Sequence, residues 1–62
     1  MTNEARNRAF KRAQELANER KETILVLDKD GSAGKIIGKK NYDPNHLWMY
    51  GYVVIAEFTP NI

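Results

Sequence analysis

The sequence predicts an α+β domain, an N-terminal amphipathic helix packed on a three-stranded antiparallel sheet in the order α-β-β-β. Three observations lead there. Residues 3–21 contain neither Gly nor Pro and place apolar side chains at spacings of three and four. From Thr23 onward the pattern changes to aliphatic and aromatic runs of strand length, divided by turn-forming Gly, Asp, Asn and Pro. A chain of 62 residues has room for one small domain and no more. The simplest packing of that order is an antiparallel meander with the helix across one face.

The helical segment, about residues 3–21, is rich in Ala, Arg, Glu, Lys and Gln. Ala5, Ala9, Phe10, Ala13, Leu16 and Ala17 form its apolar stripe, with Phe10 and Leu16 as the two large anchors. Thr2 or Asn3 can cap the start, and Glu4 suits the positive end of the helix dipole. Glu4–Arg8 and Lys11–Glu15 are expected as i,i+4 pairs. A polar row of Asn3, Asn7, Gln14 and Asn18 runs beside the stripe, suited to solvent or to base edges.

Thr23-Ile24-Leu25-Val26-Leu27 begins the first strand, expected over about 23–28, and Asp28-Lys29-Asp30-Gly31-Ser32 is a turn composition. A weaker strand follows at about 34–39, then a loop through Asn41-Tyr42-Asp43-Pro44-Asn45, where Pro44 disfavours helix at Asp43. The last strand is expected over about 47–58, bent or bulged at Gly51.

Read as one continuous strand, residues 47–58 send Leu47, Met49, Val53 and Ile55 to one face. Trp48, Tyr50, Tyr52, Val54 and Phe58 go to the other. The first strand is likewise apolar on both sides, yet only one helix is present to cover a sheet. An uncovered apolar face exceeds what a monomer ordinarily shows to water. The expectation is therefore a homodimer, its sheets packed face to face or its exposed edges paired. Trp48, Tyr50, Tyr52 and Phe58 are the candidate protein interface, since Trp and Tyr dominate interface hot spots.

Gly34-Lys35-Ile36-Ile37-Gly38-Lys39-Lys40-Asn41 resembles the Ile-Ile-Gly-Lys-Lys-Gly signature of KH domains, whose GXXG loop clamps single-stranded nucleic acid. Asn41 stands at the second glycine, and Tyr42-Asp43-Pro44-Asn45 opposes the helix that family places next. The stretch reads instead as a Lys-flanked strand leading into a loop. Gly31-Ser32-Ala33-Gly34-Lys35 is too short for a phosphate-binding loop, and Ile36 replaces its metal-holding hydroxyl. Asp28, Asp30 and Gly31 begin like a calcium loop, but the glycine comes too early and Lys39 occupies the place of the bidentate Glu.

No cofactor, metal site or enzymatic activity is expected. The chain has no Cys, a single Ser at Ser32 and a single His at His46, and nothing in the pattern joins the last two. The net charge of +2 is uneven, with six basic against three acidic residues through Lys21 and a second basic group at Lys35, Lys39 and Lys40. Arg8, Lys11 and Arg12 share one helix side, although Glu15 and Glu19 lie there too. These six basic residues make nucleic acid a possible partner. No apolar run approaches membrane-spanning length, and the polar N-terminus together with the lack of Cys points to a cytoplasmic protein.

The functional expectation is a small non-enzymatic binding protein that modulates or inhibits a partner protein. It is similar in kind to the accessory proteins of phages and mobile elements. The alternative is a small nucleic-acid-binding or regulatory protein using the basic helix side and the Lys35/Lys39/Lys40 loop.

Overall fold

A computed structural model of the protein describes residues 2–29, 34–43, 45–46 and 50–61. It has one N-terminal helix on a three-stranded antiparallel sheet, in the order α-β-β-β. Helix α1 spans Asn3–Arg20, strand β1 Ile24–Asp28, strand β2 Lys35–Gly38 and strand β3 Val53–Phe58. A short 3-10 turn at Lys39–Asn41 follows β2. Among the described residues no helix is long and apolar enough to cross a membrane.

The helix starts at the expected cap, where the Thr2 hydroxyl accepts from the Ala5 amide at 3.1 Å. It stops because Lys21 turns left-handed, at φ 54° and ψ 44°, so that the Glu22 amide donates back to the Ala17 carbonyl at 3.3 Å. The Ala stripe sets how close the helix lies. Ala13 and Ala17 are fully buried against Ile24 and Val26, while Phe10 and Leu16 pack around that centre and remain half-buried. Small side chains at the contact allow the backbones to approach, and burying Ile24, Val26 and Leu27 stabilises the fold by about 1.5–3 kcal/mol each. The expected Glu4–Arg8 and Lys11–Glu15 pairs are not closed in the structure. Both are solvent-facing pairs whose small Coulomb gain competes with side-chain entropy.

The sheet is not the expected meander. Its order is β2-β1-β3, with β1 antiparallel to both neighbours, so the link from β2 to β3 must pass the central strand. The strand with four consecutive aliphatic residues takes the middle, and Ile24, Leu25, Val26 and Leu27 are all buried. Ile24 and Val26 face the helix, as their shared cluster with Ala13 and Ala17 shows. Leu25 and Leu27 alternate to the other side, yet are only 4% and 0% exposed. The expectation that this second face stays open until another molecule covers it is thus corrected at the centre of the sheet. On that face Glu57 stands opposite Leu25 in the register, and the Lys39 ammonium reaches it at 3.0 Å.

Of the strand expected over 47–58, Val53–Phe58 form β3, while 47–49 lie outside the described residues. Tyr50 and Gly51 form a turn, and Gly51 has φ 88°, a conformation open to glycine at little cost. Between Val26 and Leu27 the register slips: Val26 pairs Ala56 but Leu27 pairs Val54, leaving Ile55 as the extra residue of a bulge. Simple alternation therefore fails along β3. Phe58 and Ala56 lie on the helix side with Ile24 and Val26, whereas Val54 lies with Leu27 on the other.

Candidate functional site

The bulge breaks up the aromatic face read from the sequence. Phe58 packs against Phe10, with ring centroids 5.5 Å apart at 55°, in the shell of the helix-side core. Tyr52 is half-buried, with the Lys29 ammonium 5.5 Å from its ring centroid, a cation–π distance. Tyr50 stands out in solvent on the turn before β3. Trp48 lies outside the described residues, as do Asp30, Gly31 and Ser32 of the expected turn. Of the four aromatic residues, Phe58 and Tyr50 are therefore in different environments and do not share a surface.

A different apolar strip is present. Tyr50 is 75% exposed, Val53 63%, Val54 38% and Ile55 36%, which places four large apolar residues on the surface within one turn and strand. β3 is an outer strand, so its far side has no neighbour among the described strands. Val53 and Ile55 form, with Asp28, Lys29 and Gly51, a shallow depression of about 160 Å³. A cue to this strip was present in the sequence: Val53-Val54-Ile55 is a β-branched run without the polar alternation that a half-covered strand shows. What concealed it was reading the run as half of a longer strand.

The basic residues do not form one surface. Arg8, Lys11 and Arg12 are exposed on α1, which packs over β1 and β3. Lys35, also exposed, begins β2 at the opposite edge of the sheet. Lys39 is bound to Glu57, and Lys40 meets Glu22 at 3.0 Å. A second concavity, about 330 Å³, is lined by Glu22, Thr23, Lys39 and Lys40, so both of its lysines already have carboxylate partners. Gly38 makes room there, since a Cβ at that position would lie 2.7 Å from Glu22 Oε1.

The polar row on the helix has a structural use that sequence reasoning missed. Gln14 Nε2 donates to the Thr59 carbonyl at 2.9 Å and to Asn18 Oδ1 at 3.1 Å, while Asn18 Oδ1 accepts from the Asn61 amide at 2.8 Å. Two amides one turn apart thus hold the C-terminal tail against the helix. His46 is exposed in a turn where its amide donates to the Asp43 carbonyl at 3.0 Å. Among the described residues no group of three or more His, Cys, Asp or Glu gathers as for a metal.

No protein-family model matches the chain, and neither a curated protein nor a solved structure shows significant similarity to it.

Proposed function

We propose that the chain is a small non-enzymatic binding protein that modulates a partner protein through the strip formed by Tyr50, Val53, Val54 and Ile55. The observation that carries this reading is the exposure of those four residues on a turn and an outer strand. Single exposed apolar residues are ordinary, but here Val53 and Ile55 line one depression while Val54 faces the other side with Leu27. Exposed apolar side chains thus flank the β3 edge on both faces, which suits an interaction surface. Tyr50 supplies an aromatic anchor with a hydrogen-bonding tip, and the β-branched residues beside it are stiff, so little side-chain entropy is lost on contact. The neighbouring depression is small and open, more suited to receiving part of a side chain than to enclosing a substrate.

The alternative, nucleic-acid binding, draws on the exposed Arg8, Lys11 and Arg12. It is the weaker reading because Lys39 and Lys40, which would have to join them, each stand beside a carboxylate, Glu57 and Glu22, that would repel a phosphate backbone.

One experiment separates the two. A photo-reactive benzoyl-phenylalanine is placed at position 50 in one preparation and at position 12 in another, and each is irradiated in cells expressing the protein. The expected result is a discrete protein adduct from position 50 that disappears when Val53→Lys is added. Absence of any such adduct overturns the reading. A nuclease-sensitive adduct from position 12 in its place would put nucleic acid first.

A further inference from the structure

The two outer edges of the sheet are unlike. β2 is four residues long, opens with the exposed Lys35 and ends in the 3-10 turn at Lys39. Those are the devices by which natural sheets discourage a further strand, a short edge and a lysine on it. β3 is six residues long and carries neither Lys nor Pro; among the described residues its guards are the bulge at Ile55 and the charge of Glu57 near one end. Its outward backbone groups are suited to another strand.

The charges at its two ends select the direction of that strand. At the Val53 end, the Lys29 stem lies against Gly51, its Cε 3.2 Å from where a Cβ would stand, and its ammonium lies by Tyr52. At the other end stands Glu57, which Lys39 engages through Oε2. A carboxylate has acceptor sites for a second cation at its other oxygen. A parallel copy of β3 would bring Lys29 toward Lys29 and Glu57 toward Glu57. An antiparallel copy brings each Lys29 toward the Glu57 of its mate.

Building on the reading of the strip as a protein interface, we propose that the β3 edge takes a second copy of this chain. The two β3 strands pair antiparallel about a two-fold axis and join the sheets into one of six strands. The contact is isologous, so it closes on itself and leaves the guarded β2 edges outermost. Val53, Val54 and Ile55 of both copies then lie beside the seam, and the apolar strip is doubled across it.

The test is sedimentation velocity over a wide range of protein concentration, on the full chain and its variants. The wild type is expected to dimerise, and Val54→Lys, which gives β3 the guard that β2 has, to weaken the dimer at least tenfold. Lys29→Glu and Glu57→Lys are each expected to weaken it as well, because each homodimer then sets like charges at both ends. Mixed one to one, these two variants restore opposite charges at both ends and should recover a heterodimer. That recovery decides the matter even if Val54→Lys fails to fold, which circular dichroism reports. A wild type monomeric at every concentration overturns the proposal. So does a dimer that ignores both Val54→Lys and the charge reversals, or a mixture that forms no heterodimer. None of these outcomes removes a position-50 adduct to a different protein, so loss of the seam and loss of the protein-binding function are separable.

Discussion

Lys21 ends the helix in a left-handed conformation that costs a residue with a Cβ about 1–2 kcal/mol. Nothing in the sequence marks that stop, since the usual Gly is absent and Lys is a good helix former. The helix expected over 3–21 accordingly runs one residue too far, whereas its start was legible because Thr2 is a strong capping residue. Lys21→Gly is expected to stabilise the protein by about 0.5–1 kcal/mol, the steric relief less the added entropy of an unfolded glycine. Thermal melts would show a rise of a few degrees, and an unchanged or lowered midpoint would contradict the reading of this residue as strained. At Gly51 the same physics runs in reverse. There φ is 88°, which disfavours any residue with a Cβ, and Lys29 Cε would lie a tight 3.2 Å from one, so glycine is the fitting residue.

At the scale of elements, the existence and type of helix and strands were readable, because hydrophobic period is a local property. The order β2-β1-β3 and the bulge were not. Both depend on which strand gains most from the middle of the sheet and on how β3 fits against it. The bulge matters for the candidate site: it moves Phe58 into the helix-side shell and leaves Val54 on the opposite face. The Gln14–Asn18 pair is a further case, for its partners Thr59 and Asn61 lie more than forty residues away in sequence and no local pattern points to them. Asn18→Leu removes the acceptor of both the Gln14 and Asn61 bonds, and is expected to cost about 1 kcal/mol and to speed amide exchange at Asn61. Asn18→Asp keeps an acceptor for both and should lose less. Equal exchange rates in the two variants would show that the tail is held by something other than this amide.

For the molecule as a whole, the decisive question is whether the fold needs a second copy. The sequence suggested that it does, because one helix cannot cover two apolar faces. The structure places Leu25 and Leu27 out of solvent within a single chain, and among the described residues the exposed large apolar side chains are Tyr50, Val53, Val54 and Ile55 around β3. Dimerisation through that edge would then add to stability without being a condition for folding, unlike an obligate dimer whose subunits have no stable form alone. Diluting the protein below its dimer dissociation constant should therefore leave the far-ultraviolet circular dichroism of a folded α+β chain. Loss of secondary structure in step with loss of the dimer would instead show that the second face is closed by the mate. Leu27→Ala provides the complementary check, because a leucine that is 0% exposed leaves a cavity and costs about 2–5 kcal/mol when truncated. A core in a domain this small supplies only about 3–5 kcal/mol in all, so that variant should be largely unfolded at dilutions where the wild-type monomer is not.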